Sequence, residues 1–134
     1  MPHTSDVHFC GIDLGTRGAR CVVVDGSGRV ASRGQCDLEH RSIGGLPDGW
    51  FEQYPRDWLN AVQDAVTEAV SGCKPETIDA VGVTSTSGTL VLVDPEGEPL
   101  RNAIMYSDDR SAEQAREVGR AGANLAERLG YRFK

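Results

Sequence analysis

The sequence predicts an α/β protein built on a mixed β-sheet with helix cover. Three observations carry this reading. Short apolar runs joined by glycine-bearing turns open the chain, an amphipathic helical stretch follows, and the run "IDAVGVTS" after it is nearly all apolar. Two consecutive hairpins, a crossing helix and a further strand give the order β-β-β-α-β.

Residues 7–13 read as the first strand, ended by Gly15, and residues 19–25 as a second, rich in Val. The short segment "LGTRG" between them predicts an antiparallel hairpin. "DGSG" at 25–28 is a turn signal that returns the chain as a third strand over about 29–36. Residues 37–54 read as a loop. Pro55 suits the first turn of a helix, and Trp58, Leu59, Val62, Ala65, Val66, Ala69 and Val70 recur at helical spacing up to Gly72. "IDAVGVTS" (78–85) then reads as a strand buried on both faces. Residues 89–94 and 101–108 read as two further strands of the sheet, with "PEGEP" as the turn between them. Residues 111–130 have helical character weakened by Gly119 and Gly122.

The chain has 134 residues, 14 Lys and Arg against 20 Asp and Glu, and a net charge of −6. That is the size of one domain. The acidic balance argues against nucleic acid or an anionic membrane as the main partner. No apolar run reaches bilayer length, and "MPHTSDVHF" lacks the basic-then-apolar order of a secretory signal. Cys10, Cys21, Cys36 and Cys73 form no C-x-x-C pair and have no zinc spacing with histidine. They read as small buried hydrophobes in a reducing cytoplasm rather than a disulfide framework.

The first loop carries the chemistry. Asp13 ends an apolar strand beside a turn that holds Gly15, Thr16, Arg17, Gly18 and Arg20. Asp13 can bond the backbone of its own turn. Alternatively, successive N–H groups in a glycine-bracketed turn cradle a phosphate, Thr16 adds a hydroxyl, and Arg17 and Arg20 add positive charge. A carboxylate beside phosphates then makes sense holding Mg²⁺. The loop is neither a Walker loop nor a dinucleotide fingerprint.

"GIDLGTRGARCVVVDGSGRV" resembles the first phosphate motif of the FGGY carbohydrate kinases, within the actin–hexokinase–Hsp70 superfamily. "DGWFEQYPRDWLNAV" is similar to the family's W-x-E-Q-D-P-x-x-W-W segment, and "VGVTSTSGTLVLVDPEGEPLRNAIMYSDDRS" to its sugar-site segment ending in W-x-D-x-R. Together these cover nearly all of the chain in the right order. The resemblance implies a ribonuclease H-like, actin-like mixed sheet, incomplete as a domain, with residues 1–134 as the N-terminal portion of the first kinase domain. It implies ATP-dependent phosphorylation of a sugar or polyol hydroxyl, with ATP and Mg²⁺ as cofactors and a small-molecule sugar as partner.

Carried over by residue, the resemblance places Asp13 at the Mg²⁺-associated acid, Gly15, Thr16 and Gly18 in the phosphate hairpin, and Arg20 at the basic end of the motif. The sugar pocket draws on Thr86, Ser87 and Gly88, and on Tyr106, Asp108 and Arg110. Read without the family, Asp108 and Arg110 are a helix-terminal acid and a surface ion pair. Asp94 and Asp109 read as turn caps, and no residue here is nominated as catalytic base; the resemblance puts that Asp later in the first domain, and the second phosphate motif and adenosine site in a second domain.

Four departures from the pattern stand out. Arg17 replaces a small hydroxyl residue, Tyr54 replaces an Asp before the helix proline, Tyr106 replaces Trp, and Ser87–Gly88 replace larger polar pairs. The small pair favours a ketopentose such as xylulose or ribulose over glycerol, whose usual Arg-Glu pair is missing. The isolated chain is expected to be inactive. The alternative is a non-catalytic phosphate- or sugar-binding module, or a partner subunit. A partly covered sheet is expected to leave an apolar patch, and with it self-association into a homo-oligomer.

Overall fold

The computed structural model describes residues 7–130, so the first six residues, including most of the stretch read as lacking a signal, lie outside the described residues. The first three strands form where expected: β1 (His8–Gly15), β2 (Gly18–Asp25) and β3 (Val30–Asp37). β1 and β2 pair antiparallel from His8↔Asp25 to Gly15↔Gly18, which leaves Thr16 and Arg17 as the turn. In the second turn the Asp25 carboxylate accepts from the Ser27 N–H and hydroxyl and from the Arg29 N–H. Here the side chain replaces missing ladder bonds.

The segment 37–54 is not all loop. Glu52–Gln53 form a two-residue strand, β4, both residues buried. Helix α1 (Pro55–Val70) follows, and Tyr54 gives it no side-chain cap, as the loss of an Asp there predicts. Its buried stripe is narrower than the periodicity suggests: Ala61, Ala65 and Ala69 are buried, Trp58, Val62 and Val66 flank them, and Leu59 is exposed. Small residues line the contact because the helix lies against the backbone of β3. A Cβ at Gly34 would stand 2.1 Å from the Ala65 carbonyl oxygen and 2.7 Å from the Ala69 nitrogen. Ser32 donates its hydroxyl to the Ala69 carbonyl at 2.6 Å.

α1 crosses back to β5 (Ile78–Ser85), which runs parallel to β1, giving the sheet order β3-β2-β1-β5. The core joins Cys10, Ala19, Cys21 and Val23 to Leu38 and the alanines of α1. All four cysteines are free, and burial, with the neighbouring Cys10 thiol, pushes the Cys21 thiol up to about 12.

Two expectations fail beyond this point. β5 is not buried on both faces, since Val81 and Val83 are 59% and 71% exposed. α1 lies over β2 and β3, and no described element covers β5 or pairs with its outer edge. This is the apolar patch the sequence leads one to expect. Residues 89–94 and 101–108 do not join the main sheet either. Only Ala103–Ile104 are a strand, β6, and they pair antiparallel with β4. Leu90 and Val93 make single bridges to Ile104 and Pro99. The ribbon turns at Asp94, which caps its turn by accepting from the Glu96 and Glu98 N–H groups. The last helical stretch divides at Gly122 into α2 (Ala112–Ala121) and α3 (Ala123–Leu129). No helix among the described residues is long and apolar enough to cross a membrane.

The close approach of α1 to β3 yields a test. Gly34→Ala must push the helix away from the strand and is expected to cost about 1–3 kcal/mol. Urea unfolding reads this as a lower midpoint at unchanged slope.

Candidate functional site

β1 and β5 run parallel, so their C-terminal ends, Leu14–Gly15 and Ser85–Thr86, lie side by side. Crevices outside the carboxyl ends of parallel strands are where α/β sheets receive ligands. The Thr86 N–H donates to the Leu14 carbonyl at 3.1 Å and extends the ladder past the strand. A cleft of about 150 Å³ opens there, lined by Gly15, Thr16, Gln53, Ser85, Thr86 and Thr89. The Thr89 hydroxyl, on a residue of its lining, is buried with no hydrogen-bond partner among the described residues. A buried hydroxyl left without a partner marks a place where a ligand or water can supply one.

The hairpin tip is held from below by Gln53. Its amide donates to the Thr16 carbonyl at 2.9 Å and to the Arg41 carbonyl, and its oxygen accepts from the Trp58 indole N–H at 2.8 Å. The Leu38 N–H donates to the Arg17 carbonyl. Gly18 sits too close to β3 for any side chain, because a Cβ there would stand 2.4 Å from the Cys36 carbonyl oxygen. Thr16 and Arg17, with ordinary negative φ, therefore cross an anchored turn whose tip reaches into three clefts.

Asp13 faces Arg20 across the β1–β2 ladder, and the two form an exposed ion pair at 3.6 Å. On its other side Asp13 pairs in register with Thr84. Together with Gly11, Val22 and Gly82 these residues line an open trough of about 550 Å³. The described residues contain no cluster of three metal-binding side chains. One exposed carboxylate is nonetheless compatible with Mg²⁺, which keeps most of its water and takes one or two carboxylates plus phosphate oxygens.

Gly88, Tyr106, Asp108 and Arg110 line a further cleft of about 820 Å³, bordered by α2. Gly88 has φ +82°, and a Cβ there would come to 3.3 Å from the Tyr106 Cβ, so the backbone itself requires glycine. Ser87 is exposed and is not among the residues lining these clefts. Asp108 and Arg110 are not the surface pair they resemble in sequence. The Asp108 carboxylate is 2% exposed and accepts from Arg110 Nε and Nη2, each at 2.7 Å, and from the Phe51 N–H at 2.7 Å. Arg110 also donates to Glu52 at 2.8 Å and stacks over the Trp50 ring at 3.9 Å.

Glu52 accepts in addition from Arg101 at 2.8 Å and Asn102 at 3.0 Å. The Arg110 hydrogen bonds hold the Asp108 carboxyl down at about 2, and the Asn102 amide, then Arg110 and Arg101, lower that of Glu52. Sequence reasoning assigns no role to Trp50, Glu52, Gln53 or Thr89. The W-x-E-Q match is the signal that could have singled out the first three.

Two outcomes are expected from this framework. Gln53→Leu orphans the Trp58 indole and two carbonyls and is expected to cost about 1–3 kcal/mol for each group that stays buried, read as a lower urea midpoint. The folded-state pKa of Asp108 lies near 2 against an ordinary 3.8. Its contribution is therefore present above the ordinary value and lost as pH falls from about 4 toward 2. Urea midpoints measured across that range should fall. Asp25 is also held near 2, by the Ser27 hydroxyl. Asp25→Asn should therefore leave part of the loss in place.

Residues 8–131 match the FGGY family of carbohydrate kinases, N-terminal domain. Among curated proteins the chain is 36% identical to glycerol kinase 1 of Streptomyces avermitilis over 121 residues, covering 88% of this chain and 23% of that protein. It superposes on the crystal structure of a xyloylose kinase from Brucella ovis with TM-score 0.77 at 27% identity, over 89% of this chain and 25% of that one. Plasmodium falciparum glycerol kinase with ADP shares the fold at TM-score 0.75 and 21% identity, over 95% of this chain and 26% of that one. The chain thus spans about a quarter of the length of the relatives it matches. With the β-β-β-α-β sheet and the hairpin it carries, this chain belongs to the FGGY family of carbohydrate kinases, as part of their N-terminal domain.

Proposed function

We propose that the chain supplies the N-terminal part of an ATP-dependent kinase that phosphorylates a hydroxyl of a small sugar or polyol. The observation that carries this is the anchored hairpin tip of Thr16 and Arg17, which shares a cleft with Tyr106 and belongs to the same hairpin as the Asp13–Arg20 pair. Phosphoryl transfer rests on positioning and charge neutralisation rather than on protein covalent chemistry. In this reading the hairpin N–H groups and the Thr16 hydroxyl hold nucleotide phosphates. Arg20 pairs with Asp13, whose carboxylate would hold Mg²⁺. When bound, Mg²⁺ would neutralise charge on the phosphates.

On the acceptor side, Tyr106, Thr86 and the backbone at Gly88 would contact the sugar, with Ser87 outside these clefts. Asp108 would shape that wall, since its carboxylate is taken up by Arg110 and Phe51, and Arg110 is held beside it through Nε and Nη2. The finer reading is a ketopentose such as xylulose or ribulose. Gly88 with left-handed φ leaves room where a larger side chain would crowd Tyr106. The curated relatives reported above include a glycerol kinase, so glycerol is the competing acceptor.

The test is a coupled assay of ADP release on the product of the complete reading frame that contains this chain, with Mg²⁺ and each of xylulose, ribulose and glycerol. Mg²⁺-dependent ADP release with a ketopentose is expected, and no turnover by the 134-residue chain alone. Preference for glycerol would overturn the ketopentose reading, and turnover with no polyol at all would overturn the kinase reading.

A further inference from the structure

We propose that the cleft between the hairpin tip and Tyr106 is a phosphomonoester subsite, in which Arg17, backed by Arg41, holds the phosphate carried by the acceptor once it is phosphorylated. The proposal rests on the kinase reading and assigns Arg17 to the acceptor side of the site rather than to the nucleotide alone. The cleft has a volume of about 230 Å³, and Thr16, Arg17, Arg41, Ser42, Tyr106 and Ser107 line it. Each of these side chains can donate a hydrogen bond.

The only carboxylate on the lining is Glu52, and its oxygens are already taken by Arg101, Arg110 and Asn102. Six donor side chains beside the apolar Phe51 and Met105, with the one acid neutralised, suit an oxyanion better than a neutral polyol, whose hydroxyls need acceptors as well as donors.

Among the cations that line the two clefts at the hairpin tip, Arg17 stands apart; Arg33, Lys74, Arg116, Arg120 and Arg128 also make no ion pair among the described residues but line neither cleft. Among the described residues, Arg20 pairs with Asp13, Arg29 with Asp25, Arg56 with Glu98, and Arg101 and Arg110 with Glu52. Arg41 makes a loose exposed pair with Asp37 at 3.6 Å, which costs little to open. The Arg17 guanidinium has no ion-pair or hydrogen-bond partner among the described residues, while its carbonyl is tied to Leu38.

Arg17 also borders the polar cleft formed with Gly15, Gly18 and Arg20 on the other side of the hairpin. It thus stands at the wall shared by the phosphate hairpin and the Tyr106 cleft. A guanidinium there offers a planar fork that matches phosphate oxygens two at a time, which an ammonium does not.

The test is calorimetric titration of the 134-residue chain with two pairs of probes: xylulose and xylulose 5-phosphate, glycerol and glycerol 3-phosphate. For at least one pair the phosphate ester is expected to bind about tenfold or more tightly than the free polyol, as charge-assisted hydrogen bonds allow. Arg17→Gln is expected to abolish that advantage and leave polyol affinity unchanged, and Arg17→Lys to restore only part of it. The side chain is exposed, and circular dichroism checks that the variants fold alike.

Saturable polyol binding with no gain for the ester, or a gain that survives Arg17→Gln, overturns the subsite and leaves the kinase reading standing. A loss confined to Mg²⁺·AMP-PNP binding places Arg17 on the nucleotide side and overturns it equally. If neither polyol nor ester binds saturably, the subsite falls, while the kinase reading stands or falls on the coupled assay with the product of the complete reading frame.

Discussion

The Gln53 side-chain amide is the interaction on which the site depends. It is 3% exposed, and its donors and acceptor are all used, on the Thr16 and Arg41 carbonyls and the Trp58 indole. One side chain thereby ties the hairpin tip, the loop before β4 and the first turn of α1 into a single unit. A two-residue turn held only by its own strands would be free to fray. Here the turn's carbonyl has a buried partner whose own position is set by the helix, and a buried amide that lost one of these partners would keep the desolvation cost without the bond.

Glu52, the neighbouring residue, faces the opposite way because successive strand side chains alternate. It meets Arg101, Asn102 and Arg110, and through Arg110 it is joined to Asp108 and Trp50. A buried carboxylate is tolerable only with such company, since removing it from water costs several kcal/mol that one pair seldom returns. The short β4 strand therefore has two jobs set by the pleat: Gln53 holds the β1–β2 hairpin tip, and Glu52 holds the wall of the Tyr106 cleft. The distance between the two halves of the site follows from one strand rather than from two independent loops.

The sheet adds the remaining constraint. α1 can lie against β3 only because Gly34 presents no side chain to Ala65 and Ala69. That contact sets the helix over β2 and β3 and leaves β5 bare on the far side. The parallel pairing of β1 and β5 then brings Gly15 and Thr86 together at one sheet end, where the clefts open.

The first half of the fold was legible in the sequence, because hairpin turns, helical periodicity and an apolar run are local signals. β1, β2, β3, α1 and β5 fall within a residue or two of their expected bounds. So did the grouping of Asp13, Thr16, Arg17 and Arg20, since a two-residue turn forces it. Residues 89–108 were misplaced because alternating apolar residues do not say which strand they pair with; their partner proved to be the two-residue β4, too short to leave a pattern. Asp108 and Arg110 read as surface residues because burial depends on Glu52, far away in the chain. Neighbouring residues alone set the hairpin, the helix and the glycine-bracketed turn that carries Thr16 and Arg17. The contacts of Gln53 and Glu52 and the unpaired Arg17 charge came with the folded arrangement, because each is a balance of partners drawn from separate segments.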